Sequence, residues 1–528
     1  MAIQLITGGC GSGKTQAMIR RICERAAARP DQQFFVIVPE QATVSMQRAL
    51  TAAQPSGGIL NIDVVSFARL AHRIFEEQGA LGRVIVDDVG KNLLLRRVVG
   101  TCAPELTCLK ASPGKPGTIS EIKSILSEFM QYGIDEDDLE DLIEGLDESN
   151  RQLTNKLHDL RLLYAAFREG MGERYLTKEE QLSVLADLVP DSALLADSVI
   201  ALDGFTGLTP VQIRLMERLA KVCEQVYVTV TIPADQDSSY RDLYELFGMS
   251  KRFCYQMAKI AENAGCDWAE PLVTDRRDEH REEIISFLET NIFRNNGAVF
   301  AREDGQEALQ IYACANRREE CELAAKKSLA LLQEHGWHYR DLAVIVADMD
   351  SYADDLTEAM ERFGIPCFLD YKHHVMDNAF VEYIRSLLEI EISDYAAGPV
   401  MRFLRTGFGS VSDAQADRLD NIITARGIRG YSRWNEPWEE ADEARASLIE
   451  RLSGLHEMAG TQQTVTAWTL TLYQFLVKDR ALQTLKDLAG SFEESGEGER
   501  AQEYGQVYSA LSAYWKRNFV CARRPWNE

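Results

Sequence analysis

A glycine-rich stretch near the start of the chain carries the most specific chemical signal in the sequence. Residues 8 to 15 fit the pattern Gly-x-x-x-x-Gly-Lys-Thr of a phosphate-binding loop, or P-loop. In such a loop, backbone N–H groups surround phosphate oxygens, the lysine reaches the outer phosphates, and the threonine hydroxyl binds Mg²⁺. The predicted nucleotide site consists of Gly8, Gly9, Cys10, Gly11, Ser12, Gly13, Lys14 and Thr15.

The elements around this loop have the order that a P-loop requires. An apolar run precedes the loop, and a segment with apolar residues at helical spacing follows it. Further apolar runs alternate with helical segments, which predicts a doubly wound α/β domain with a parallel sheet. The predicted strands after the loop are 34–38, 62–65, 198–202 and 226–230.

A P-loop enzyme needs a second acidic residue for Mg²⁺, usually an aspartate at the end of a buried strand. Four aspartates near predicted strands are candidates: Asp63, Asp87, Asp203 and Asp348. Asp203 ends the most regular strand of the first α/β region and precedes a helix that begins at Thr209-Pro210. We therefore predict Thr15 and Asp203 as the protein ligands of Mg²⁺.

The residue after Asp203 affects the expected rate of ATP hydrolysis. Helicase-type ATPases that hydrolyse ATP have a glutamate at this point to activate the attacking water, whereas this chain has Gly204. Loss of a positioned general base costs roughly 10²–10⁴-fold in rate. The sequence thus predicts a site that binds ATP and hydrolyses it slowly or not at all, unless another carboxylate such as Glu40 acts as the base.

Organisation and composition bound the rest of the chain. The 528 residues suffice for about three domains. The pattern of strands and helices predicts a first α/β domain at 1–86 and 192–285, interrupted by a helical insertion at 87–191. It predicts a second α/β domain at 286–376, with strands at 311–314, 342–346 and 366–369, followed by a second helical region at 377–528. Without an apolar run of membrane-spanning length or a signal sequence, a cytoplasmic globular protein with no membrane partner is expected.

Charge and cysteine spacing argue against several other classes of protein. The formal net charge of −25 argues against a broadly basic surface, so any bound DNA would occupy a local groove. The eleven cysteines include no Cys-x-x-Cys pair, which supports neither a zinc site nor a disulfide framework.

Several blocks of the sequence resemble the AddB family, the second subunit of bacterial AddAB helicase–nucleases. Besides the P-loop, the matching blocks are Val38–Thr43, Val64–Ala71, Leu202–Gln212 and Gly427–Trp434. The resemblance runs from residue 1 to about 515. It implies a superfamily 1 helicase-like fold with two RecA-like domains, each carrying a helical insertion.

The resemblance also implies a function for the chain. It implies an ATP-binding subunit, a heterodimeric partner of AddA type, and action on double-stranded DNA ends and single-stranded DNA in recombinational repair. The second subunit of this family scans DNA for the Chi sequence with a degenerate helicase core. The family's nuclease carboxylates and iron–sulfur cysteines would lie beyond residue 528.

Individual positions carry over from the family motifs. Gly8, Gly13, Lys14 and Thr15 fall on the nucleotide site, Asp203 on the Mg²⁺ position and Gly204 on the place of the catalytic glutamate. For the glutamine with which active helicases sense phosphate, the sequence offers only Gln236 as a possible remnant. Ala347-Asp348-Met349 stands where active helicases present an arginine to the γ-phosphate.

Two other functional classes are compatible with a P-loop. A small-molecule kinase would need lid arginines, for which Arg161, Arg168 and Arg174 are candidates, although solvated helix faces explain them equally well. A structural protein with a vestigial loop is the other class. Two aromatic–arginine stretches, 403–405 and 431–434, could stack DNA bases or belong to a helical core.

Overall fold

The part of the chain described by a computed structural model covers most of its length. The described residues are 2–54, 58, 60–79, 84–111, 114–172, 175–274, 282–301, 308–371, 378–408, 411–461 and 464–522. The chain divides into two units, Met1–Gln310 (unit 1) and Ile311–Glu528 (unit 2). Unit 1 thus continues past residue 285, where the sequence pattern places the end of the first α/β domain.

A seven-stranded parallel sheet forms the centre of unit 1. Its strands lie in the order β3-β2-β6-β7-β1-β8, with β9 also paired to β1. A separate two-stranded sheet is formed by β4 and β5, which are parallel as well. The strands are β1 (Ala2–Gly8), β2 (Phe34–Ile37), β3 (Ile62–Val65), β4 (Val84–Val86), β5 (Tyr175–Thr177), β6 (Val199–Leu202), β7 (Gln225–Thr231), β8 (Asp267–Trp268) and β9 (Leu272–Val273).

The predicted strands of the first α/β region are therefore confirmed, and helices cover both faces of their sheet. Successive side chains of a strand point to opposite faces. Phe34 and Val36 of β2 lie in the apolar core on one face, and Phe35 and Ile37 lie in the core on the other. All four residues are buried, which explains the continuous apolar run that the sequence shows here.

The helices of unit 1 follow the predicted pattern, and the Thr209-Pro210 helix start is confirmed. The Thr209 hydroxyl accepts a hydrogen bond from Gln212 N, and the Gln212 side chain accepts one from Thr209 N. The helices are α1 (Lys14–Ala28), α2 (Thr43–Ala53), α3 (Phe67–Glu77), α4 (Asp88–Cys102), α5 (Pro116–Tyr132), α6 (Glu136–Glu144), α7 (Arg151–Met171), α8 (Glu180–Leu188), α9 (Pro210–Val222), α10 (Gly248–Ala264) and α11 (Glu283–Asn291).

The region between β3 and β6 is mainly helical, as predicted for the insertion. Helices α4 to α7 lie between β4 and β5 in the chain, and the parallel pairing of these strands brings the two ends of that helical segment together. A buried carboxylate, Asp159, accepts hydrogen bonds from the backbone N–H groups of residues 107, 108 and 109. This side chain fixes the turn that follows α4 against α7.

The regular structure of unit 2 is helical throughout its described residues. The expectation of strands in the second α/β region is therefore wrong. The sequence pattern predicts strands at 311–314, 342–346 and 366–369, but the structure assigns none of these segments to a sheet. Ile311, Ile345 and Phe368 are at least 90% exposed. A strand depends on hydrogen bonds to a neighbouring strand, so local β propensity alone does not produce one.

The described helices of unit 2 pack around a smaller and a larger apolar core. Cys321 and Ala325 of α12 pack with Leu356 and Met360 of α13 in the smaller core, and α14 to α21 surround the larger one. The helices are α12 (Arg317–His335), α13 (Met349–Arg362), α14 (Ala379–Ile392), α15 (Ala397–Leu404), α16 (Asp413–Arg426), α17 (Tyr431–Asn435), α18 (Asp442–Ala459), α19 (Val465–Lys478), α20 (Ala481–Glu494) and α21 (Gly498–Ala522). Within the described ranges of the whole chain, we find no helix with the length and apolar character needed to cross a membrane.

Candidate functional site

The glycine-rich loop connects the end of β1 to the start of α1. Gly8 is the last residue of β1 and is paired with Thr231 of β7. Gly11 and Gly13 have φ angles of 72° and 85°, in the left-handed region where residues with a Cβ are strained. The two glycines therefore let the loop turn and start α1 at Lys14, with its first N–H groups at the loop.

Ser12 attaches the loop to Thr274, the residue that follows β9. The Ser12 hydroxyl is buried and lies 2.9 Å from Thr274 Oγ1. Thr274 donates its hydroxyl proton and its backbone N–H to Thr7 O, so Ser12 is the donor to Thr274. A Cβ on Gly8 would overlap both Ser12 and Thr274, which explains the requirement for glycine at this position.

Lys14 lies inside the turn of the loop. Its ammonium donates to Gly9 O at 2.7 Å. Burial lowers the pKa of Lys14, and electrostatic interactions with nearby groups, among them the Asp203 carboxylate, oppose that effect. The Lys14 ammonium and the Ser12 N–H thus both donate to the Gly9 carbonyl oxygen.

The structure brings Thr15 and Asp203 together across 188 residues of sequence. Thr15 Oγ1 lies 3.1 Å from Asp203 Oδ1 and 3.2 Å from Oδ2. The Thr229 hydroxyl of β7 donates to Asp203 Oδ1 at 2.6 Å, and Asp203 N donates to Ile37 O of β2. Since β7 lies between β1 and β6, its threonine holds the carboxylate in place beside the loop.

This hydroxyl–carboxylate pair fits Mg²⁺. The ion takes oxygen ligands, and in nucleotide sites it is held by one or two protein oxygens together with phosphates and water. Among the described residues no group of three or more His, Cys, Asp or Glu is arranged to hold a metal ion. An ion at this site would therefore depend on a bound nucleotide for several of its ligands.

The three alternative aspartates have other partners. Asp63 faces Arg73 at 3.4 Å, and Asp87 accepts from Gly90 N at the start of α4. Asp348 lies in unit 2 at the start of α13, where Ser351 donates to it. Of the four candidates, Asp203 is the one that the structure places beside Thr15.

Gly204 has a conformation that disfavours any side chain. Its φ angle is 81°, and a Cβ would come within 3.4 Å of Pro39 Cδ. Glu40, the alternative base, follows Pro39 in an exposed turn after β2. Gln236 makes a 3.4 Å hydrogen bond to its neighbour Asp235, in a loop beyond β7.

The residues considered for a kinase lid have structural partners. Arg161 pairs with Glu140 of α6, and the Arg168 guanidinium lies over the Tyr164 ring within the same helix. Arg174 lies outside the described residues. These contacts favour helix-surface roles for Arg161 and Arg168.

The aromatic–arginine stretches of unit 2 belong mainly to its core. Phe403 and Trp434 are fully buried, and the Trp434 indole donates to Tyr395 O. Arg405 pairs with Asp417 and Asp420. Buried rings are not accessible for base stacking, so the structural interpretation of these stretches is the better one.

Three residues of the site were not identified from the sequence: Thr229, Thr274 and Glu289. Thr229 lies inside an apolar strand, where a threonine is ordinary. Thr274 follows two apolar residues and precedes a charged stretch, with nothing in the sequence to mark it as part of a site. Glu289 is one of many acidic residues, and only its packing near Gly9 distinguishes it.

The fold and the site together define an α/β protein with a glycine-rich loop at the end of a parallel strand and an aspartate held opposite it. Residues 5–289 match the family described as "ADDB, N-terminal". The chain therefore belongs to the AddB family.

Relatives with similar sequences carry one name, which describes them as the B subunit of an ATP-dependent helicase/deoxyribonuclease. The chain is 31% identical over 539 residues to the protein of this name from Lachnoclostridium phytofermentans, a match covering 98% of this chain and 47% of that relative. The same-named proteins of Heliobacterium modesticaldum and Clostridium acetobutylicum are 31% and 27% identical, covering 97% of this chain and 44% and 46% of those relatives. The chain thus spans about half the length of the curated relatives it matches.

Proposed function

We propose that this chain is the nucleotide-binding part of an AddB-type subunit, with a RecA-like first domain that binds ATP and Mg²⁺. The strand order supports this assignment, because β7 lies between the loop strand β1 and the aspartate strand β6. The loop supplies backbone N–H groups and the start of α1 to phosphate oxygens. Lys14 neutralises charge on the outer phosphates, and Thr15 with Asp203 holds Mg²⁺ between them.

The proposed site binds ATP without efficient hydrolysis. The observation that carries this proposal is the pairing of Thr15 and Asp203 at 3.1 Å beside a glycine with a φ of 81°. In this proposal Thr15 and Asp203 bind the metal ion together with the nucleotide, whereas the position next to Asp203 has no side chain to orient water. On this basis, hydrolysis is slower by roughly 10²–10⁴-fold than with a positioned base.

We further propose that the chain acts with a partner of AddA type on double-stranded DNA ends and single-stranded DNA in the bacterial cytoplasm. The name of the relatives, which makes them one subunit of an ATP-dependent helicase/deoxyribonuclease, supports a role in such a complex. A core that holds nucleotide without driving translocation suits a subunit that scans DNA for Chi. A DNA strand would bind locally, because the chain has a formal net charge of −25.

Nucleotide titrations of the purified chain test the proposal. Mg²⁺·ATP is expected to bind the wild type, and Lys14→Ala is expected to weaken binding by at least about tenfold, since a charge-assisted hydrogen bond contributes roughly 1.5–3 kcal/mol. Lys110→Ala, an exposed lysine of the insertion, serves as the control and should leave binding unchanged.

Phosphate release is measured in the same samples, with and without single-stranded DNA. Turnover close to the background of the Lys14→Ala variant is expected in both conditions. Robust DNA-stimulated hydrolysis that Lys14→Ala abolishes would contradict the proposal of an inactive site.

A further inference from the structure

An arginine just beyond the end of α11 is attached to the loop that follows β7. Arg294 Nη1 donates to Asp235 Oδ2 at 2.8 Å. The Arg294 side chain is 14% exposed, whereas that of Asp235 is 57% exposed. Arg294 Nε is buried and has no hydrogen-bond partner among the described residues. Asp235 therefore satisfies only part of the guanidinium group, and a buried donor remains without an acceptor.

Both segments that carry this ion pair contact the glycine-rich loop at Gly9. A Cβ placed on Gly9 would lie 4.0 Å from Pro233 Cγ, two residues before the aspartate of the pair, and 3.0 Å from Glu289 Oε1, five residues before the arginine. Lys14 Nζ donates to Gly9 O. In a phosphate loop this lysine serves the outer phosphates. The ion pair thus joins two segments on the side of the loop that serves the outer phosphates in the proposed site.

The backbone around Arg294 has a conformation that local preferences disfavour. Phe293 and Asn295, its two neighbours, have φ angles of 61° and 48°. Asparagine tolerates this left-handed region, but phenylalanine rarely adopts it. The Phe293 side chain is 80% exposed, so burial of its ring does not explain the conformation. Backbone strain of this kind is found where the position of a side chain matters for function, and here the side chain so placed is that of Arg294.

Phosphate is the class of ligand that matches these donors. A guanidinium group forms two parallel hydrogen bonds with phosphate oxygens, a geometry that an ammonium group cannot provide. Its present pair with a largely exposed carboxylate is weak, because solvent competes for both partners. A triphosphate extends further toward the outer side of the loop than a diphosphate, so its terminal phosphate is the part of a nucleotide that Arg294 would meet.

We propose that Arg294 determines nucleotide specificity at this site: its guanidinium exchanges the Asp235 carboxylate for the terminal phosphate of a bound nucleoside triphosphate, which favours a triphosphate over a diphosphate. This inference rests on the proposed nucleotide-binding function. Asp235 then holds the arginine beside the loop while no triphosphate is bound. The exchange distinguishes the ATP-bound from the ADP-bound state without hydrolysis.

Binding of N-methylanthraniloyl-ATP and N-methylanthraniloyl-ADP, each with Mg²⁺ and with the fluorophore on the ribose, tests this role in the full chain. Arg294→Ala is expected to weaken ATP binding about tenfold and ADP binding by no more than about twofold, since a charge-assisted hydrogen bond to the terminal phosphate is lost. Asp235→Asn removes the competing carboxylate and is expected to tighten ATP binding about threefold, with ADP binding unchanged.

Two further variants complete the test. Arg214→Ala removes an arginine that pairs with Asp187 between α8 and α9, and as the matched control it should change neither affinity. Arg294→Lys keeps the charge but not the planar donor group, so its loss of ATP affinity should be smaller than that of the alanine variant. It also provides the measurement if Arg294→Ala lowers the unfolding temperature.

Opposite effects of the two main substitutions on ATP binding distinguish a phosphate contact from a structural brace. Equal weakening of ATP and ADP binding by Arg294→Ala and by Asp235→Asn would mean that the pair only holds two segments together, and would overturn the inference. Unchanged ATP affinity of Arg294→Ala at a wild-type unfolding temperature would overturn this inference alone. If the folded wild-type chain binds neither nucleotide, the proposed function is overturned as well.

Discussion

At the scale of single residues, the site depends on where side chains are present and where they are missing. Asp203 is held by Thr15 and Thr229, so its carboxylate has a defined position next to the loop. The following residue, Gly204, supplies only backbone. A side chain is disfavoured there by the left-handed φ, which means that the absence of a side chain at this position follows from the local conformation.

A substitution at Gly204 tests that conformational requirement. Gly204→Ala is expected to lower the free energy of unfolding by about 1 kcal/mol, because residues with a Cβ are strained at positive φ. Gly207→Ala, in the same exposed loop but without a positive φ, should be neutral within about 0.5 kcal/mol. Urea unfolding of both variants provides the measurement, and equal effects of the two substitutions would show that Gly204 is not conformationally required.

At the scale of elements, parallel pairing brings the functional residues to one edge of the sheet. The carboxyl ends of parallel strands meet at the same edge, so Gly8 at the end of β1 and Asp203 just after β6 come close although β7 lies between them. The helical insertion interrupts this sheet in sequence, and β4 and β5 close its ends by pairing with each other. Long-range contacts inside the insertion, such as those of Asp159, then determine its shape.

The hydrogen bonds that Asp159 accepts from the backbone can be tested directly. Its carboxylate is 2% exposed and accepts three backbone N–H groups at 2.8 to 2.9 Å. Asp159→Asn removes the charge and leaves one acceptor oxygen, which is expected to cost about 2 kcal/mol locally. Amide hydrogen exchange of residues 107–109 should accelerate by about 30-fold, if local opening determines the rate.

Asp141→Asn, an exposed aspartate of α6, is the control for this substitution. It should leave the exchange of residues 107–109 at the wild-type rate. Unchanged protection in Asp159→Asn would mean that the turn is held by packing rather than by the carboxylate.

At the scale of the whole molecule, half of the thiols whose exposure the structure describes are buried. Of the ten cysteines whose exposure the structure gives, Cys10, Cys108 and Cys367 are exposed and five are buried. Burial raises the pKa of the Cys223 thiol to about 12. Because the thiolate is the reactive species, this cysteine has almost none of its reactive form at neutral pH.

Alkylation kinetics therefore report on folding and on the site together. With N-ethylmaleimide near neutral pH, the exposed cysteines should be modified in minutes and Cys223 only after unfolding, as followed by peptide mass spectrometry. Saturating Mg²⁺·ADP is expected to slow modification of Cys10, in the loop, by about tenfold, while Cys108 provides the unaffected internal control. Equal slowing of Cys10 and Cys108 would indicate a general effect of the nucleotide rather than occupation of the loop.

Sequence patterns predict secondary structure reliably where the structure depends on neighbours within a single strand or helix. The strands of the first sheet, the helix start at Thr209 and the helices of the insertion are all confirmed, since apolar periodicity and capping residues act within a few neighbours. The three strands expected in unit 2 are wrong, because β structure needs a partner strand that propensity does not specify. Thr229 and Thr274 could not be recognised, since each gains its role through a residue far away in sequence.

The sequence by itself determined the glycine-rich loop, the aspartate candidates and the lack of a glutamate after Asp203, because these depend on residue type and close spacing. Only the tertiary structure decided that Asp203 meets Thr15 and that Glu289 approaches Gly9. Both contacts join residues at least 188 positions apart. They exist because parallel strand order and helix packing, rather than local preference, select which side chains share one edge of the sheet.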